Sequence, residues 1–427
     1  MSVSTAIIAL GCLIFLSHIF NALFERTKIP SVIFLICIGI FVGPNIMNWT
    51  TPQDLGSFGG VFTIVTFIVI MFESGTDLHI YDIKKSIGRA TALTVMCFIA
   101  SFLIASAIIF VLTDLDIMTS LFIGAIISDT SVAVAIPIIK QLKLSEKTAT
   151  VLLLESAFSS VLCLIISLAI FENIQSGEVS ITNILTNMTV SFVIASIFGA
   201  VFGFAWATFQ HRVLKDAKNM MFATFALAFI IYGVCDQLGL NGGTAILMYG
   251  IVVGNINFFS KRKILKKFTL GEDLILNETH RTFFSEIGFV LQTYFFVYIG
   301  MSLRFSDITL FIISMIVVVS IFIGRQFITK LIISKETPKF ERDIISLMTP
   351  KGLVTAVMAS LPLQYGLANG NEIQGIVYYI VFISILLCAF LAANVKNNMK
   401  KDLKKNVELI QEENAEPIQE NVELIQE

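Results

Sequence analysis

Charge is what this sequence is short of. Only 14% of its 427 residues are Asp, Glu, Lys or Arg, while 56% are hydrophobic, and the mean hydropathy is +0.85. A soluble domain carries about 25% charged residues. Too few polar side chains are present to cover a water-facing surface of this size, so most of the surface is expected to face lipid. Histidine is scarce too. His18, His79, His211 and His280 are the four; none stands in an H-E-x-x-H pair, and only His18 falls in an apolar run. Zinc-dependent proteolysis is thereby excluded. An intramembrane aspartyl protease needs two facing aspartates, and one alone, Asp129, lies deep in a span. The six cysteines are scattered singly, with no C-x-x-C, so neither a zinc site nor a disulfide frame is expected. Walker A and G-x-G-x-x-G loops are missing, which removes ATP-driven pumping. With a net charge of −2, no basic field points to nucleic acid. No cofactor is expected.

Long apolar runs are what the sequence has instead. A membrane helix needs about 20 mainly apolar residues. Thirteen segments qualify, near 3–23, 31–48, 58–76, 87–112, 117–138, 147–171, 183–209, 219–236, 242–259, 282–303, 307–333, 343–365 and 373–395. The first has no basic flank before it and no small-residue cleavage site after it, so it reads as a retained span. Basic residues test the count. With the intervening loops placed alternately on two sides, all but three of the 29 lysines and arginines collect on one side. Arg304 is on the other, and Arg325 and Lys351 lie inside spans. The positive-inside rule makes the rich side cytoplasmic. The N-terminus is then expected outside the cell membrane and the C-terminus inside. Residues 1–395 form the expected transmembrane domain. Residues 396–427, basic and then acidic with NVELIQE occurring twice, read as a disordered cytoplasmic tail.

Ionisable groups at membrane depth are costly and mark function. Asp129 sits twelve residues into the fifth span, about 18 Å deep at 1.5 Å per residue, in the polar run Ser128-Asp129-Thr130-Ser131. The twelfth span carries a matching irregularity, Met348-Thr349-Pro350-Lys351-Gly352. Interruptions at corresponding places in two halves mark the substrate site of inverted-repeat transporters. The expected fold is therefore all-α, with spans 1–6 and 8–13 as inverted six-helix repeats and spans 5 and 12 discontinuous. In the sixth span Glu155 and Ser159 share one helix face, and Ser156 and Ser160 share the next. These hydroxyls suit the oxygen shell of a small hard cation balanced by Asp129; the alternative is helix packing with each hydroxyl bonded back to its own backbone. Ser128 and Thr130 join the candidate site. Lys351 is a charge on the unwound twelfth span, and Glu73, near the cytoplasmic end of the third, is a candidate gate.

At these residues the chain resembles the cation:proton antiporter superfamily, of the NhaP-like sodium/proton exchanger kind. Lys28-Ile29-Pro30 leading into Leu35-Ile36-Cys37-Ile38-Gly39-Ile40-Phe41-Val42-Gly43-Pro44 looks like the family's second span, and Glu73-Ser74-Gly75-Thr76-Asp77-Leu78 like the end of its third. Ser128-Asp129-Thr130 stands where the family has T-D-P, and Glu155-Ser156-Ala157-Phe158-Ser159-Ser160 where it has E-S-x-x-N-D. Gly324-Arg325 matches a buried arginine, and Thr349-Pro350-Lys351-Gly352 resembles G-P-R-G. The resemblance implies exchange of Na+ or K+ for H+ at Asp129 by alternating access, with Glu155 and Arg325 as a structural ion pair. A homodimer is the expected assembly. The chain departs from the pattern where the family's N-D becomes Ser159-Ser160. That departure motivates the alternative, an ion channel or a transport-inactive sensor on the same fold.

Overall fold

A computed structural model describes residues 31–78, 89–131, 144–176, 181–213, 220–260, 278–303, 307–334 and 336–395, with scattered positions before 20, between 134 and 142, and Phe305. Most of the first expected span and the 396–427 tail lie outside the described residues. Within them the chain is helical, without a strand.

In chain order the helices are α1 (Ser31–Val42), α2 (Gly56–Asp77), α3 (Arg89–Leu112), α4 (Ile117–Ile126), α5 (Glu146–Ser176), α6 (Ile181–Val213), α7 (Met220–Gln237), α8 (Gly242–Gly254), α9 (Ile256–Ser260), α10 (Glu278–Ser302), α11 (Ile308–Ile332), α12 (Lys339–Leu347) and α13 (Leu353–Gln364). A final helix, α14, covers Gly370–Val395. Seven helices among the described residues are long and apolar enough to cross a membrane, and five more are apolar but shorter. Together they fall, in order, on the second to thirteenth expected spans. Their outer faces are apolar: α11 exposes Ile308, Ile312, Ile316, Val319, Ile323, Phe327 and Leu331. Such a stripe at helical spacing suits lipid as solvent, and the chain is a multi-pass membrane protein.

The helices divide into two bodies by packing. In one, α1 lies on α10, α2 on α8, and α8 on α6 and α7. In the other, α3 packs on α11, α4 and α5, while α12 packs on α11. α14 joins this second body through Ser314 Oγ, which donates to the Ile376 carbonyl at 3.0 Å. α13 lies along the seam, touching α2 and α10 on one side and α4 and α5 on the other.

Close approach of backbones holds the first body together. A Cβ on Gly39 would stand 2.1 Å from the Val297 carbonyl oxygen, and one on Gly300 would stand 2.1 Å from that of Ile36. Between apolar helices in lipid no hydrophobic drive exists, so small residues that admit such contact supply the attraction. Gly39→Ala and Gly300→Ala are each expected to lower stability by about 1–3 kcal/mol through overpacking. Gly233, with nothing within 4 Å of its Cβ position, is the control, and Gly233→Ala should be neutral or stabilising. Thermal unfolding of the purified variants checks this.

Candidate functional site

The site is built where two helices stop short. α4 starts on Asp116, whose side chain accepts from Met118 and Thr119 amides, and ends at Ile126. Ser128 through Ser131 are not helical. Ser, Asp and Thr side chains compete with helical backbone bonds, as Ser128 does by donating to the Gly124 carbonyl at 2.7 Å. On the other side α12 ends at Leu347, α13 begins at Leu353, and the link between them contains Pro350, which has no amide to donate. The two interruptions lie against each other and exchange a bond: the Ser131 amide donates to the Pro350 carbonyl at 2.8 Å.

Side chains satisfy further freed groups. Thr355 Oγ1 donates to the Ile126 carbonyl at 2.9 Å, and the Lys351 amide donates to Ser384 Oγ at 3.0 Å. The Thr130 amide donates to Ser159 Oγ at 3.1 Å, and Ser156 Oγ donates to the Thr130 carbonyl. Irregular backbone at membrane depth persists only where protein satisfies it in this way.

Asp129 stands in the middle, 1% exposed. Its Oδ1 accepts from Ser160 Oγ at 2.6 Å and lies 3.4 Å from Ser159 Oγ. Its Oδ2 is buried with no hydrogen-bond partner among the described residues. Lys351, also buried, places Nζ 2.8 Å from the Asp129 carbonyl oxygen. Nearby, Arg325 grips Glu155 with both terminal nitrogens; Nη1 donates to Oε1, and Nη2 to Oε2 at 2.7 Å. Arg325 Nε donates to the Ile345 carbonyl at 2.9 Å, tying α11 to α12 as well. The centre of the bundle thus holds one closed ion pair, and beside it a carboxylate and an ammonium that leave one oxygen free.

Ser128, Asp129, Thr130, Ser156, Ser159, Ser160 and Lys351 are brought together, with Glu155 and Arg325 adjoining. Glu73 is elsewhere. It lies on α2 in the other body, its Oε2 2.7 Å from where a Gly288 Cβ would stand. No contact of the described residues joins it to the Asp129 group. Thr355, Ser384 and Cys163, whose Sγ lies 3.5 Å from the Ile126 carbonyl, complete the surroundings. Sequence spacing gives no hint of them, because their partners lie in other spans. No group of His, Cys, Asp and Glu among the described residues suits a bound transition metal.

A second polar tie braces the Lys- and Arg-rich end of this body. Glu341 of α12 accepts from the Ser145 amide at 2.9 Å, from Ser145 Oγ at 2.8 Å and from Thr148 Oγ1 at 2.5 Å, capping the start of α5. At the opposite end, two cavities open along the seam. One, of 390 Å³, is lined by Tyr298 and Ser302 of α10 facing Gln364 and Gln374. The other, of 200 Å³, lies beside Tyr365, whose hydroxyl reaches Tyr232 and Asp236 of α7, each at 3.0 Å.

A family model described as the transmembrane sodium/hydrogen exchanger matches residues 12–393. The chain belongs to the sodium/hydrogen exchanger family. It is NhaP-like. The K(+)/H(+) antiporter NhaP2 of Shewanella baltica is 21% identical over 378 residues, covering 86% of this chain and 62% of that protein. Sodium/hydrogen exchanger 8 of Arabidopsis thaliana is 23% identical over 265 residues, covering 58% of this chain and 34% of that protein. The chain therefore spans only part of the length of these curated relatives. Among solved structures, the sodium proton antiporter MjNhaP1 from Methanocaldococcus jannaschii at pH 8 superposes with a TM-score of 0.71 at 20% identity, covering 92% of this chain and all of that one. The likeness fixes the antiporter fold.

Two predictions follow from the polar ties. Removing one partner of the buried pair strands the other charge, a loss of roughly 3–5 kcal/mol. Glu155→Gln should therefore destabilise the protein more than Glu155→Gln combined with Arg325→Gln; simple additivity in thermal unfolding would contradict a coupled pair. Glu341 lies outside the spans. Burial opposes its ionisation, but the three bonds from Thr148 and Ser145 outweigh that and hold its carboxyl below the ordinary value of 4.5. A depressed folded value means that Glu341 contributes stability at neutral pH, lost as pH falls through 4.5 and below. Glu341→Gln should flatten the acid side of the melting-temperature profile.

Proposed function

We propose that this chain exchanges a monovalent cation, Na+ or K+, for a proton at Asp129, by alternating access across a cell membrane. The observation that carries the reading is the buried Asp129 carboxylate with Oδ2 unpartnered, set between two interrupted helices. A carboxylate there takes up either a cation or a proton. Protonation removes the charge that holds the cation, so the two compete, and competition at one site couples opposed fluxes without ATP. The hydroxyls of Ser128, Thr130, Ser156, Ser159 and Ser160 supply neutral oxygens, Lys351 supplies a counter-charge, and Glu155 with Arg325 keeps α5, α11 and α12 in register.

The two-body packing supports movement of one body against the other. The pairing α1 with α10 and α2 with α8 brings the second expected span to the tenth and the third to the ninth. Exchange of two inverted halves turns each pair into the other, which supports an inverted repeat. Orientation follows the loop charges, with the Lys- and Arg-rich end in the cytoplasm. Residues 1–395 make the transport unit and 396–427 a cytoplasmic tail. The proposal includes a homodimer and gives Glu73, at the contact of α2 with α10, the role of a gate on the cytoplasmic side.

A second reading, a channel or a transport-inactive sensor, is favoured by one observation: Ser160 offers Asp129 a hydroxyl where a second carboxylate would strengthen proton coupling. Proteoliposomes with an internal pH dye separate the readings. Antiport predicts that an imposed K+ or Na+ gradient moves protons the opposite way, that Asp129→Asn abolishes this, and that the variant still folds. With one exchanging carboxylate the cycle is electroneutral. Its rate should not change with clamped potential, although each net charge would feel about 2.3 kcal/mol per 100 mV. Cation flux without proton movement would instead mark a channel.

A further inference from the structure

Building on the antiport reading, we infer that the Asp129 site prefers potassium-sized cations to sodium and lithium, and that Ser160 sets this preference. Selection among monovalent cations weighs the water each ion gives up against the field of the oxygens that replace it. Lithium and sodium hold water tightly, so close, strongly negative oxygens are needed to offset its loss. Potassium releases water more readily and is satisfied by weaker oxygens.

The oxygens around Asp129 form a weak field. One carboxylate serves the site, and half of it is engaged: Oδ1 accepts from Ser160 Oγ at 2.6 Å, which draws off negative charge. Lys351 Nζ, 2.8 Å from the Asp129 carbonyl oxygen, adds positive charge beside the same residue. Glu155 is committed to Arg325 through both oxygens and contributes nothing. The other oxygens at hand, the hydroxyls of Ser156, Ser159 and Ser160, are neutral. Asp129 Oδ2 alone offers unopposed charge. A cation that binds there keeps one moderated carboxylate oxygen and a set of hydroxyls, which is a poor exchange for the water of sodium and a fair one for that of potassium.

Ser160 is the lever because its Oγ touches the carboxylate directly. Ser160→Asp puts a second carboxylate beside Asp129 and raises the field. Ser160→Ala removes the closer donor and returns part of the charge of Oδ1, with Ser159 Oγ still 3.4 Å away. Both changes push selectivity toward smaller ions, the first more strongly.

The test uses the purified full chain and two readouts: stabilisation against thermal unfolding by K+, Rb+, Na+ or Li+ at constant ionic strength, and exchange of each cation for protons in proteoliposomes. Wild type should show half-maximal effects at about tenfold lower K+ than Na+, a difference of about 1.4 kcal/mol, with Rb+ near K+ and Li+ weakest. Ser160→Asp should reverse the order, and Ser160→Ala should reduce the K+/Na+ ratio. A wild-type preference for Na+ or Li+, or ratios that neither variant changes, overturns the inference while leaving antiport standing. Potassium-selective stabilisation without exchange supports the inference and sinks antiport. Melting that ignores every cation, with no exchange, overturns both.

Discussion

A backbone broken inside a bilayer has no water to turn to. The requirement that every freed amide and carbonyl find a protein partner governs the centre of this molecule. The Ser131 amide on the Pro350 carbonyl, Thr355 on Ile126, Ser384 under the Lys351 amide and Ser156 on Thr130 all meet it. These bonds tie α13 at the seam to α4, α5 and α14, and Asp129 sits at their centre. Function and fold share a cause here: the residues that break the helices are also the polar residues that make the break tolerable, and the resulting cage holds a carboxylate.

Charge follows the same logic of pairing. Among the described residues, two acids and two bases, Asp129, Glu155, Arg325 and Lys351, are buried together at the centre of the bundle, 3% exposed or less. Glu155 and Arg325 close on each other through two bonds. Asp129 and Lys351 do not close. The ammonium bonds to the backbone carbonyl of Asp129 rather than to its carboxylate, so one carboxylate oxygen stays available. A fully closed second pair would have sealed the site.

Much of this was legible in the sequence, and the rest fails for identifiable reasons. The run Ser128 to Ser131 and the Pro350–Gly352 kink announce broken spans because small polar residues, proline and glycine act locally. Helix boundaries near Lys339 were less readable. The twelfth span was expected from 343, but α12 begins at Lys339, because charged Lys339, Glu341 and Arg342 look like loop and instead form a short helix at the Lys- and Arg-rich end. The setting of Glu73 against Gly288 depends on how α2 meets α10, which no local pattern encodes. Glu341 as the cap of α5 was invisible, since caps are sought within three or four residues and this one arrives 196 positions away.

That distance along the chain bears on how the protein is made. Glu155 enters the membrane 170 residues ahead of Arg325. At ordinary translation speeds of about 5–20 residues per second, the second partner follows roughly 10–35 s later. For that interval the sixth span carries an acid with nothing to neutralise it, and its leading turn waits still longer for Glu341. The first half of the chain must therefore hold α5 shallow or shielded until the second half is inserted. The last large segments to leave the ribosome complete the first half as much as their own.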